Sequence, residues 1–369
     1  MSLAAGGVIV LAAGVAFANG TNDISKGIAT LVGSGVSNFR AAVLWGTVWT
    51  VAGGLLAAFV SQGLVATFSG KGFLDRPIAG FAFLASVALG AAAWVLFASR
   101  TGLPVSTTHS IAGALAGAAI AAQGAGVLHW EAFARRIALP LALSPLVSIG
   151  LMYAIFPLLA RAVARAESYC ICLERRAVLP VVSPEGAMTL GTIAVVPMAA
   201  SSETCHRSPA VTARVSALDG LHWLSSALTS FARGLNDTPK IVALGVVASA
   251  ALAIDGASFY VLVALFIGAG SLIGGFRVTE TLARKLTPMT PGEGFAANLV
   301  TTLLVGLASL YALPVSTTQV SSSAIIGIGL RRGGRGVHWA KVREMLFAWI
   351  VTLPASALVA GGAHVLLSR

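Results

Sequence analysis

Long apolar runs separated by short polar joints organise the whole chain. Residues 1–20 carry no charged side chain, and comparable stretches recur near 41–70, 77–99, 101–130, 137–160, 241–254, 256–276, 294–330 and 345–368. A helix needs about 20 such residues to cross the hydrocarbon layer of a bilayer. The pattern therefore predicts an all-α polytopic membrane protein with about ten to twelve transmembrane or re-entrant helical segments. Stretches interrupted by Gly and Pro are the candidates for turning back instead of crossing. The runs are continuous, without alternation, which excludes a closed β-barrel.

Composition strengthens this reading. Of 369 residues, 57% are hydrophobic and only 10% are charged, against roughly a quarter charged in soluble domains. The net charge of +11 would suggest nucleic acid as the partner of a soluble protein. In a polytopic chain it fits basic residues in cytoplasmic loops, so no nucleic-acid partner is expected and membrane lipid is. The opening MSLAAGG lacks the positive region of a signal peptide, which places it in the mature chain. An excess of Arg over Lys fits a bacterium of high genomic G+C, and hence an inner-membrane location.

Internal similarity decides the architecture. Asn22-Asp23 matches Asn236-Asp237 at an offset of 214, LPVSTTHS from Leu103 matches LPVSTTQV from Leu313 at 210, and LHW at 128–130 matches VHW at 337–339 at 209. Order is kept and drift is small, the mark of a duplication. The expected division is a first transmembrane repeat at 1–160, a polar connecting insert at 161–215 and a second transmembrane repeat at 216–369. The insert holds Arg161, Arg165, Arg175, Arg176, Arg207 and Arg214 with Pro180, Pro184 and Pro209. It reads as a loop with a short amphipathic portion, placed in the cytoplasm by its arginines. Arg331, Arg332, Arg335, Lys341 and Arg343 follow the second LPVSTT, whereas 121–130 has no Lys or Arg. Equivalent loops then face opposite sides, which makes the repeats inverted. Arg135 and Arg136 lie just past the neutral loop, where they fit the start of the next helix.

Charged groups at bilayer depth cost roughly 2.5–3.5 kcal/mol each even on lenient scales, so they mark a pathway. Asp23 and Asp237 are the acids embedded in the apolar repeats, each with an Asn before it and Lys26 or Lys240 three residues on. That spacing places all three side chains together on a helix. Gly20, Gly234 and Pro239 at the motifs predict broken helices, which in paired repeats mark a transporter's substrate site. The second constellation is PVSTT. Ser106 and Ser316 suit N-caps after Pro104 and Pro314, with Thr107, Thr108, Thr317 and Thr318 beside them. A helix N-terminus with hydroxyls is an anion site. Carboxylates near 4 Å would repel that anion by about 4 kcal/mol at an effective dielectric of 20, so cations must accompany it, Na⁺ or H⁺.

On GTND, GLNDTPK and the paired LPVSTT the chain resembles the inorganic phosphate transporter (PiT) family of cation-coupled phosphate symporters, over both halves but not the insert. The resemblance implies an inverted-repeat fold, a homodimer, no cofactor, and inorganic phosphate bound between the halves. It assigns the anion to Ser106, Thr107, Thr108, Ser316, Thr317 and Thr318 with help from Asn22 and Asn236, and the coupling cations to Asp23, Asp237, Asn22 and Asn236. Lys26 stands where many members have Asn. With two aspartates and a divalent phosphate, Lys26 and Lys240 balance part of the charge and leave room for about two coupling cations. The alternative is that Lys26 snorkels away. Phosphate is favoured over sulfate, the other tetrahedral oxyanion, because it can donate a proton to a carboxylate.

Other residues support rival readings less well. Ser106 with His109 mimics a hydrolase pair, but Gln319 replaces the histidine in the second copy and no third orienting group is evident. The polar lining would also suit an anion channel, although buried acids in repeats fit alternating access better. Cys170, Cys172, Cys205 and His206 are candidate zinc ligands in an unfamiliar spacing, against free thiols in a reducing loop. His129-Trp130 and His338-Trp339 suit interfacial anchoring.

Overall fold

The computed structural model describes residues 2–75, 80–177 and 193–369, so Pro180 and Pro184 lie outside the described residues, as do the side chains of His206, Arg176, Arg207 and Arg214. The first half runs α1 (Ser2–Asp23), α2 (Ser25–Gly33), α3 (Phe39–Val60), α4 (Gln62–Phe68), α5 (Phe81–Thr101), α6 (Thr107–Gln123), α7 (Trp130–Phe133) and α8 (Leu139–Ser168). The insert follows as β1 (Tyr169–Ala177), β2 (Ile193–Ser201), α9 (Ser202–Arg207) and β3 (Val211–Ser216). The second half is α10 (Ala217–Ala251), α11 (Gly256–Gly274), α12 (Phe276–Arg284), α13 (Pro291–Leu310), α14 (Thr317–Arg331) and α15 (Trp339–Leu367). Among the described residues, seven helical stretches are long and apolar enough to cross a membrane. Alpha-helices α6 and α14 are shorter, with 17 and 15 residues, and α10 carries buried polar residues. Counting these three gives ten segments of a polytopic membrane protein, within the predicted range.

The halves exchange their last helices. Helix α15, from the second half, packs with α5 and α6 of the first, while α8, from the first half, packs with α13 and α14 of the second. Between these lobes α1 lies on α11 and α10 lies on α3. Both contacts are backbone to backbone. A Cβ on Gly20 would fall 2.1 Å from the Ile267 carbonyl oxygen, and one on Gly234 2.1 Å from that of Thr50. The facing glycines, Gly270 and Gly53, stand equally close to Phe17 and Phe231. Arg331 stacks 3.9 Å over the Phe156 ring, so the arginine-rich stretch after α14 lies at the same end of the bundle as the end of α8 and the insert.

Two expectations change. The Asn-Asp segments are not broken: α10 runs through Pro239 without interruption, and α1 and α2 part only at Ile24, whose dihedrals remain helical. Gly20 and Gly234 are there for close helix approach instead. The real discontinuities are the two LPVS loops, 102–106 and 311–316, which join α5 to α6 and α13 to α14. The insert, in turn, is more than a loop. Its described part is an antiparallel sheet in the order β2-β1-β3, built on alternation in YCICLERRA, and β3 leads directly into a capping box made by Ser216 and Asp219 at the start of α10. Arg135 and Arg136 sit in a π-helical turn, Ala134–Ala138, that enters α8.

Candidate anion and cation site

Ser106 and Ser316 cap α6 and α14 as the sequence predicts, each accepting from a backbone N–H three residues on, of His109 and Gln319, at 3.1 Å. The helix starts face each other across the halves. Thr108 donates to the Val315 carbonyl at 3.2 Å, and Thr318 donates to the Val105 carbonyl at 2.7 Å. The exchange ties the two loop tips together at the centre of the bundle. All six Ser and Thr side chains of the two motifs are buried, with free helical amides beneath them.

The Asn-Asp-Lys motifs join this centre. Asn22 donates to Ser99 at 3.1 Å and to the Leu103 carbonyl at 3.0 Å, and the Val105 amide donates to Asn22 at 3.3 Å. Asn236 donates to Ser309, the repeat counterpart of Ser99, at 3.1 Å. Lys26 bonds Asp23 at 2.7 Å and both oxygens of Asn22 at 2.8 Å. It points inward and does not snorkel. Lys240 reaches Asn236, Thr108 at 2.7 Å, the Val315 carbonyl at 3.1 Å and Asp237 at 3.4 Å. Asp23 and Asp237 are 1% and 2% exposed, so both are sealed from solvent.

Two residues of this cluster escaped the sequence reading. The Asn19 amide donates to Asp23 at 2.7 Å, to Asp237 at 3.2 Å and to Thr107 at 3.2 Å, which brings the two carboxylates of the separate halves onto one nitrogen. Its repeat counterpart, at the same offset of 214 as the Asn-Asp pair, is Arg233. Arg233 is fully buried, within electrostatic reach of both aspartates. Among the described residues its only bond is a long one of 3.5 Å from Nη2 to Ser271, and Nε and Nη1 have no partner there. The signal was available: FANG and FARG precede the two motifs, and an arginine in an apolar repeat is costly wherever nothing uses it.

The hydrolase pairing does not form. Ser106 Oγ is taken up as a cap, and His109 Nδ1 has no partner among the described residues. Elsewhere His129 pairs with Asp75 at 2.6 Å at an exposed loop junction, and Trp130 and Trp339 are about half exposed, as interfacial anchors should be. Trp94 packs inward, donating to Thr352 at 2.9 Å.

Membrane-long helices arranged as two related halves around buried acids, cations and capped helix starts define a multi-pass membrane transporter. The sequence profile of the phosphate transporter family matches residues 9–360. The chain belongs to that family, and it is a transporter, not an enzyme. It is 27% identical to the "Probable low-affinity inorganic phosphate transporter" of Bacillus subtilis, over 98% of this chain and 96% of that one. With "Inorganic phosphate transporter 2-1, chloroplastic" of Arabidopsis thaliana it shares 28% identity over 92% of this chain and 68% of the other. Among solved structures, "The sodium-dependent phosphate transporter" superposes with a TM-score of 0.78 at 21% identity, covering 99% of each chain. At that identity the likeness speaks for the fold.

Proposed function

We propose that the protein imports inorganic phosphate by symport with Na⁺ or H⁺, through an alternating-access site between the two halves. One observation carries the reading: Asp23 and Asp237 meet at a single amide of Asn19 that also touches Thr107, at the start of α6. Carboxylates attract cations, while the amides and hydroxyls of facing helix starts attract a tetrahedral oxyanion. Only a ligand pair of opposite charges satisfies both.

The charge count refines the coupling. With both aspartates ionised, Lys26, Lys240 and Arg233 leave the buried cluster one positive charge in excess. A divalent phosphate turns that into one negative charge, which a single monovalent cation neutralises. The sequence-based count of about two coupling cations falls to one because it omitted Arg233. In this reading the anion is held by Ser106, Thr107, Thr108, Ser316, Thr317 and Thr318 with Asn22 and Asn236. The cation sits at Asp23 and Asp237. The halves correspond to residues 1–160 and 216–369, the insert faces the cytoplasm of a bacterial inner membrane, and the protein works as a homodimer.

Uptake of labelled phosphate into proteoliposomes tests the proposal, with Na⁺ and pH gradients imposed separately and sulfate as competitor. Saturable accumulation that follows one inward cation gradient and resists excess sulfate is the expected result. Flux that neither saturates nor follows a cation gradient indicates a channel. Preferential uptake of sulfate overturns the substrate assignment.

A further inference from the structure

The insert brings together three sulfurs that transport does not use. Cys170 and Cys172 stand two apart on β1 and so share a face of the sheet, and α9 lays Cys205 against that face. All three side chains are buried, and their sulfurs lie within 4.8 Å of one another. Cys205 stands against both Cys170 and Cys172. A sulfur forms one disulfide at a time, so at most one of these pairs is covalent and a third thiol remains beside it; once reduced, all three thiols are close enough to share one metal ion. Sulfurs at about 2.3 Å from a tetrahedral metal are about 3.8 Å apart; Cys170 and Cys172 are 3.3 Å apart, and Cys205, which stands closer to both, would draw back to take its place.

We propose that Cys170, Cys172 and Cys205 bind one thiophilic divalent cation of the Zn²⁺ or Cd²⁺ class. Binding converts three thiols to thiolates and releases three protons as three metal–sulfur bonds form. The metal would tie β1 to α9 just before β3 enters α10. It would thus steady the base of the helix that carries Arg233, Asn236, Asp237 and Lys240. The inference does not depend on what the membrane portion transports.

The test uses the full-length protein, purified in detergent, reduced and freed of metal. Titration with Cd²⁺ should produce thiolate-to-metal absorption that saturates at one equivalent, reversed by competing Zn²⁺. Thiols reactive toward a disulfide reagent should fall from three to none as Zn²⁺ is added. The C205S variant should weaken Zn²⁺ binding by more than the roughly 10–100-fold that follows loss of an outer-shell partner. Should C205S fail to fold, thiol protection in the unaltered protein decides alone. Three thiols that stay reactive in excess Zn²⁺ would overturn the site, as would reduced protein that takes up no Cd²⁺.

Discussion

The two halves hold the same motif in unequal states. In the first, Asp23 receives three donors, Lys26 and Asn19 at 2.7 Å and Thr107 at 3.1 Å. In the second, Asp237 receives, among the described residues, only Lys240 at 3.4 Å and the borrowed Asn19 at 3.2 Å. Where the first half has Asn19, the second has Arg233 with two unpartnered nitrogens. Duplication preserved the frame while the chemistry diverged: one carboxylate is locked by its own neighbours, and the other sits loosely beside spare positive charge. An incoming ion pair has most to gain at the second.

The largest expected effect comes from breaking the locked side. Asp23→Asn strands Lys26 in a buried site, and breaking such a pair costs about 3–5 kcal/mol. Thermal unfolding in detergent should show a larger loss for Asp23→Asn than for Asp237→Asn, whose contacts are longer. Equal losses would mean that the two carboxylates are held alike. Lys26→Asn should raise the cation requirement of uptake, and an unaltered ion stoichiometry would remove that lysine from the charge balance.

Next in size is Arg233→Gln. Losing the positive charge that Arg233 adds to the cluster, of the order of one charge-assisted hydrogen bond or about 1.5–3 kcal/mol, should raise the KM for phosphate roughly 10–100-fold. The number of coupling cations per phosphate should increase while the unfolding temperature stays near that of the unaltered protein. A fold that weakens with unchanged KM would make Arg233 structural.

The backbone contacts give a smaller and more symmetric test. Alanine at Gly20 or Gly234 must push apart helices whose facing carbonyl oxygens lie 2.1 Å from the new Cβ. Overpacking of this kind costs about 1–3 kcal/mol, only partly offset by the roughly 1 kcal/mol gain in helix propensity. Both variants should unfold at lower temperature and to a similar degree. Smallest is a correction of one half by the other: Gly102 closes α5 at φ +76, and its counterpart Ala312 has φ +54. A left-handed alanine costs roughly 1–2 kcal/mol, so Ala312→Gly should raise the unfolding temperature and Gly102→Ala lower it.

Much of this was legible beforehand because it rests on local rules. The Ser caps, the inward-facing Asn-Asp-Lys triplets and the duplication all follow from spacing within a few residues or from self-comparison. The glycines misled because the same residue that loosens a helix also permits close packing, and only the facing strip of Gly270 or Gly53 decides which. Arg233 was visible as a charge one turn before Asp237 on α10, but its other neighbours, Asp23 and Ser271, come from α1 and α11, far away in the chain. The sheet in the insert was signalled by alternation over nine residues, too short to outweigh the surrounding polarity.

The exchange of α8 and α15 limits how the site can open. Each lobe contains a helix borrowed from the opposite half, and the pairs α1–α11 and α10–α3 are seated spine against spine. A rocking motion that swung one sequence half as a solid block would have to tear those seams. Under the proposed alternating access, the moving body is therefore a composite drawn from both copies, hinged where the chain crosses between them. A fluorophore pair placed within one half, on α6 and α8, should then report more movement than a pair on α6 and α15.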